Sequence, residues 1–147
     1  MQPELRPRHG RTTLGAITQE ETAMPERARV QEFIRMVESG DHVRAIEDFY
    51  HPEASMRENC KEPRRGRDAL VAHEKAALAR VARVDTHPVS TFLIDGDNVV
   101  VQWTFDFVDA RGGRCRMEEL ALQRWRGDRI IEERFYYDPA SIVPVAD

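Results

Sequence analysis

Six side chains have the chemistry for proton transfer or for gripping a flat ligand: Glu58, His73, Glu74, Trp103, Glu118 and Tyr137. Carboxylates crowded into an apolar pocket cannot all ionise, so at least one is pushed to a higher pKa. That separates an acid from a base, as general acid–base catalysis requires. A phenol such as Tyr137 can donate a hydrogen bond to a developing enolate. Trp103, with Phe105 two residues on, can stack on a flat ligand. The chemistry these residues permit is proton abstraction next to a carbonyl, leading to isomerisation or ring closure.

Each inward placement has a local reason. The run Ala54 to Asn59 reads as a strand, with Ala54, Met56 and Glu58 on one side. A helix is expected from Asp68 to about Val81, with Leu70, Val71, Ala77, Leu78 and Val81 as its apolar stripe. At ~100° per residue Glu74 falls in the middle of that stripe and His73 on its flank. A buried Glu needs a partner or a raised pKa, so Glu74 is either structural, bonded to backbone or Arg, or functional. His73 is read first as a partly exposed residue.

Two alternating runs, MEELALQRW and IIEERFYYD, flank Gly127-Asp128, a pair suited to a tight hairpin turn. With Arg126 opposite Arg129, Leu122 faces Glu133, Leu120 faces Phe135 and Glu118 faces Tyr137. The greasier side, expected inside, then carries Leu120, Leu122, Ile131, Phe135 and Tyr137 together with Glu118 and Glu133. A slip of one residue would swap the sides and bring in Glu119 instead. The other side, with Ala121, Gln123, Arg134 and Tyr136, is expected to face outward.

The elements that must position these groups come in a clear order. Val30, Phe33, Ile34 and Val37 mark a first helix after Pro25. Ser39-Gly40-Asp41 ends it and opens a second, with Val43, Ile46 and Tyr50 as its stripe. After the first strand, KEPRRGR is a basic loop, either solvated or an anion-greeting rim. Beyond His87-Pro88 the chain is strand: Val89 to Ile94, then Val99 to Val108 with Val99, Val101, Trp103, Phe105 and Phe107 on one side, then the hairpin. Helix, helix, strand, helix and a four-strand meander make an α+β domain with helices on one face of an antiparallel sheet. Residues 1–23 carry no sustained period and are expected to be a disordered tail, with a single domain from 24 to 147 and Met24 an alternative start to Met1.

Bulk properties narrow the function. A net charge of −4 disfavours a general nucleic-acid role. No apolar run approaches the ~20 residues of a membrane span, and a reducing cytoplasm fits two cysteines, Cys60 and Cys115, without metal or disulfide spacing. Three Glu and one His could hold a metal, but no HExxH-type spacing is present, and neither metal nor other cofactor is expected.

The segments SGDHVRAIEDFYHPEASMRE, GRDALVAHE and RWRGDRIIEERFYYD, in this order over roughly residues 26–138, resemble the nuclear transport factor 2-like superfamily, in its SnoaL-like and ketosteroid isomerase-like branch. The resemblance implies a cystatin-like cone: a curved antiparallel sheet wrapped around three N-terminal helices, with a pocket at the wide end and frequent dimerisation through the outer sheet face. It puts Glu58 at the position of the catalytic carboxylate base, Glu74 and Tyr137 at pocket positions, and Phe33 where the isomerases place an oxyanion-binding Tyr. Leu122, or Ala121 in the other register, falls where they place a second acid. Both oxyanion donors are absent, so steroid isomerisation by that mechanism is not predicted. The expected site is Glu58, Glu74 and Tyr137 for chemistry, with Phe33, His73, Trp103, Glu118, Leu120 and Phe135 against the substrate. The expected partners are a small apolar or aromatic carbonyl compound and a second copy of the chain. The rival readings are a non-catalytic ligand-binding domain and a dimeric scaffold of the same fold.

Overall fold

The computed structural model describes residues 24–146, so the expected tail at 1–23 lies outside the described residues. Three helices come early: α1 (Arg27–Glu38), α2 (His42–Phe49) and α3 (Arg67–Leu78). The strands are β1 (Tyr50–Glu58), β2 (Arg64–Arg65), β3 (Arg83–Thr86), β4 (Phe92–Asp95), β5 (Asn98–Val108), β6 (Arg114–Arg126), β7 (Arg129–Tyr136) and β8 (Val143–Pro144). They form one open, curved sheet in the order β2-β1-β7-β6-β5-β3, with β4 also on β5 and β8 on β6. This is the expected α+β architecture, with one difference. The sheet is mixed, because β1 runs parallel to β7. A connection as long as the one between them, which holds a helix and five strands, can bring the chain back in either direction.

The α1 stripe is as read: Val30, Phe33, Ile34 and Val37 are all buried. Phe33 meets Phe49, Tyr50, Trp103 and Trp125 edge-on, at centroid distances of 5.4, 6.1, 6.1 and 6.2 Å. A fully buried Phe contributes roughly 2–3 kcal/mol. The edge-on geometry places each ring's positive rim on its neighbour's negative face and adds to that. The α2 stripe shifts by one residue. Ala45, Ile46 and Phe49 are its buried members, and Tyr50 already belongs to the strand. Helix α3 begins after Gly66, whose φ of +90° suits glycine alone at this sharp strand-to-helix corner.

The last hairpin departs from its expected register. The turn pairs Arg126 with Arg129 and Trp125 with Ile130 as read, but the register then shifts, and Arg124 pairs with Glu132 and Gln123 with Glu133. Ile131 is the extra residue of a β-bulge. The bulge lets Ile130 and Ile131 both be buried, along with Trp125 on the facing strand. Beyond it the β7 residues keep their expected sides, while every β6 residue swaps. Ala121, Gln123 and Glu119 face the interior, and Leu120, Leu122 and Glu118 face out. Glu118 and Leu120 are thereby corrected as site residues: Leu120 is 46% exposed and Glu118 lies on the outer sheet face. Gln123 and Ala121, expected outside, are fully buried.

Candidate functional site

Between the helices and the concave sheet face lies a cavity of about 340 Å³. Its wall is apolar and aromatic, with Phe33, Trp103, Phe105, Phe107 and Phe135 facing it, and four carboxylates enter it from separate elements: Glu58 from β1, Glu74 from α3, Glu119 from β6 and Glu133 from β7. The sheet register explains how they meet. Parallel pairing sets Met56 beside Glu133 and Glu58 beside Phe135. Antiparallel pairing sets Trp103 beside Glu119 and Gln123 beside Glu133.

The floor of the cavity is a fixed hydrogen-bond chain. The indole Nε1 of Trp125 donates to Oε1 of Gln123 at 3.0 Å, and Nε2 of Gln123 donates to Oε2 of Glu133 at 2.6 Å. The Tyr50 hydroxyl donates to the other oxygen of Glu133. Indole is a donor only, so it fixes which way the Gln123 amide points. Both Glu133 oxygens therefore accept. Burial raises Glu133 to about 7, against those two donors, which favour its charged form. Burial first, and Glu133 second, raise the Tyr50 phenol well above its ordinary value.

Glu119 stands differently. It is 8% exposed, faces the cavity, and has no hydrogen-bond partner among the described residues. Burial, followed by the charges of Glu133, Glu58 and Glu74, raises it to about 8. Burial and then Glu58 also raise Glu74, whose Oε1 lies 3.8 Å from Nδ1 of His42. His42 is held below its ordinary pKa by burial, and its Nε2 is 3.2 Å from Oγ1 of Thr86. His73 is lowered by burial and then by the Arg64 charge. Glu58 sits nearer the mouth: its side chain is 29% exposed, 3.8 Å from the Lys61 ammonium, itself 70% exposed. So exposed a pair holds Glu58 only weakly.

Of the residues singled out from sequence, Glu58, Glu74, Phe33, His73, Trp103 and Phe135 all line this one cavity. Tyr137 is not among the lining residues. Its backbone N–H donates at 3.0 Å to Oδ1 of Asn59, the residue after Glu58, which seats Tyr137 at the rim by the end of β1; its phenol is raised by burial and then by Glu58 and Glu119. Sequence reasoning missed Tyr50, His42, Glu119 and Glu133 as site residues. Glu133 was on the inward side of the hairpin as read, beside Phe135, and Glu119 was the alternative to Glu118. Tyr50 was hidden because its spacing also fits the α2 stripe. Among the described residues no cluster of His, Cys, Asp and Glu is arranged to hold a metal ion. No helix among them is long and apolar enough to cross a membrane.

The fold has relatives. A protein designated a SnoaL-like polyketide cyclase from Mesorhizobium loti superposes with a TM-score of 0.63 at 23% identity, covering 75% of this chain and 97% of that one. An epoxide hydrolase of the LEH-like type from M. tuberculosis gives 0.65 at 15%, covering 78% and 84%. A protein with a ketosteroid isomerase-like fold from Catenulispora acidiphila, in complex with trimethylamine, gives 0.66 at 17%, covering 82% and 91%. No curated protein sequence matches. At these identities the superpositions establish the fold. The SnoaL-like domain profile, in contrast, matches residues 30–133 of the sequence itself, from the first buried residue of α1 to the carboxylate at the cavity floor. The chain belongs to the SnoaL-like domain family.

Proposed function

We propose that this chain is a small-molecule pocket protein that moves a proton next to a carbonyl, as an isomerase or cyclase of the polyketide type. The observation that carries this reading is the convergence of four carboxylates, from four elements, on one aromatic-walled cavity. Glu58, the carboxylate at the mouth, is the general base. The substrate's C–H bond breaks, the proton passes to a Glu58 oxygen, and the electron pair moves onto the carbonyl oxygen as an enolate. Tyr137 at the rim donates a hydrogen bond to that oxygen, and Glu74, electrostatically coupled to Glu58, shares the proton. A scaffold role would need the cavity filled by side chains, and it is open. A non-catalytic ligand-binding role is favoured by one observation, the absence of Tyr137 from the lining residues.

The test is deuterium exchange at the carbon next to the carbonyl of small aromatic ketones in heavy water, followed by NMR. The wild type is expected to accelerate exchange. Glu58→Gln is expected to lose roughly 10²–10⁴-fold of that acceleration with the thermal midpoint unchanged or raised. Wild-type exchange at the buffer rate would support the binding role, and an unchanged Glu58→Gln would remove Glu58 as the base.

A homodimer is proposed through the outer sheet face, where Leu120 and Leu122, turned outward by the bulge, and Tyr136 are 46%, 40% and 41% exposed. Such a contact is self-complementary about a two-fold axis. Leu122→Glu puts a carboxylate on each side of it. Sedimentation is expected to show a dimer for the wild type and a monomer for the variant; a wild-type monomer at high micromolar concentration would end the proposal.

A further inference from the structure

We propose that the ligand of this cavity carries a positively charged nitrogen, seated between the Glu119 carboxylate and the faces of Trp103 and Phe105. The proposal rests on the cavity being the ligand site, but not on Glu58 turning that ligand over.

The first argument is the charge inventory. The charged and titratable groups facing Glu119 from the elements around it are Glu58 and Tyr50 on β1, Glu74 and His73 on α3, His42 on α2, Glu133 on β7, Arg80 just after α3, and Tyr137 at the rim. Burial keeps both histidines toward their neutral forms. Among these lining residues Arg80 is the permanent cation set against four carboxylates.

The second argument is the wiring of the floor. Both oxygens of Glu133 already receive donors, from Tyr50 and from Gln123, and Trp125 locks the Gln123 amide in the donating direction. These two hydrogen bonds favour the charged form of Glu133, against the burial that raises it to about 7. Glu119, buried and without a protein partner, is left to be completed from within the cavity. A carbonyl or ether oxygen brings an acceptor that only a protonated Glu119 could meet, and a hydroxyl brings a donor without a charge. A cation brings the missing countercharge to a carboxylate that opens onto the cavity.

The third argument is the wall. Trp103 is the direct cross-strand neighbour of Glu119, and such neighbours stand about 5 Å apart. Its ring stacks with Phe105 at 5.7 Å and an interplanar angle of 24°. A carboxylate beside aromatic rings is a setting that recognises a desolvated ammonium. The volume, about 340 Å³, suits a compact organic amine rather than a polyamine or a peptide.

Binding of such a cation displaces the proton that Glu119 holds. With Glu119 raised to about 8 in the empty cavity, a permanent cation should bind more tightly as pH rises, by up to about tenfold per pH unit below about 8, levelling above it. The experiment is calorimetry on the full chain with three probes of one size class: benzyltrimethylammonium, benzyl alcohol and benzoate. The expected result is binding of the ammonium alone or far above the others. Its affinity should rise with pH, with proton release seen as a heat that depends on the buffer. Glu119→Gln, isosteric and uncharged, should weaken it at least about tenfold. Benzyl alcohol or benzoate binding as well as the ammonium would overturn the cation and leave the cavity standing as a ligand site. So would an ammonium affinity indifferent to pH and to Glu119→Gln. No binding by any probe at millimolar concentration would overturn the cation and remove support from the ligand pocket itself. The pH series on the wild type gives an answer whether or not the variant folds.

Discussion

The thermal midpoint of the wild-type chain will peak on the acid side of neutrality and fall steadily from about pH 5 to about pH 9. A carboxyl that titrates higher in the folded state than in the unfolded one binds its proton more tightly when folded. Its contribution is complete below the unfolded pKa and is lost as pH rises through the folded one. Glu119 is raised from 4.5 to about 8 and Glu133 from 4.5 to about 7, so both weaken the fold across this window. Ionising Glu119 in place costs on the order of 3–5 kcal/mol. Asp106 works in the opposite direction. It is buried on the outer sheet face, bonded to Nε and Nη2 of Arg116 at 2.8 and 3.0 Å and to Nε2 of His87 at 3.0 Å. The Arg116 hydrogen bond, opposed by burial and aided by His87, holds it well below the usual carboxylate range, so its contribution is lost as pH falls. The two trends together set the maximum at about pH 4–5. Glu119→Gln should flatten the alkaline limb and raise the midpoint at about pH 9 by roughly 5–15 °C, with little change at about pH 5. Parallel curves for wild type and variant would mean that Glu119 does not carry a raised pKa.

The same residues show what was legible in the sequence. The period-two run ending at Glu58 and the 3.6-period stripe around Glu74 each sent a carboxylate inward, and both line the cavity. These signals are local: each needs only a strand or a helix and the side it buries. The superfamily resemblance added the order of elements, and the helices and sheet follow it. The hairpin was harder, because its sidedness depends on a single extra residue. A bulge at Ile131 leaves no composition signal, since Ile130 and Ile131 are equally at home in a core, yet it exchanges Glu118 for Glu119. The parallel pairing of β1 with β7 was equally invisible. It joins segments more than seventy residues apart, and no local pattern encodes such a contact. The Tyr50–Glu133–Gln123–Trp125 chain depends on both of these features. A buried chain of three side-chain hydrogen bonds is therefore what periodicity could not assemble.

That chain also predicts a large, pH-dependent stability loss for an uncharged substitution that keeps the core filled, Gln123→Leu. Gln123 is 0% exposed and sits between Trp125 and Glu133. Leucine fills nearly the same volume, so the packing cost is small. The cost comes from the partners left behind. The Trp125 N–H loses its acceptor in a site 2% exposed, at roughly 1–3 kcal/mol. Oε2 of Glu133 loses a donor that favours the charged form, which costs more when the group is ionised. With that donor gone, burial of Glu133 is opposed by Tyr50 alone, and its pKa should climb above about 7. The loss should thus depend on pH. At about pH 5 both proteins hold Glu133 protonated, and the difference should be close to the Trp125 term alone. At about pH 8 the wild type can ionise Glu133 against two donors and the variant cannot, so the gap should widen by at least about 1–2 kcal/mol. Denaturant melts of both proteins at the two pH values measure it. A gap that is the same at both would show that Gln123 serves only as filling, and that the charge on Glu133 is held by something other than this chain of donors.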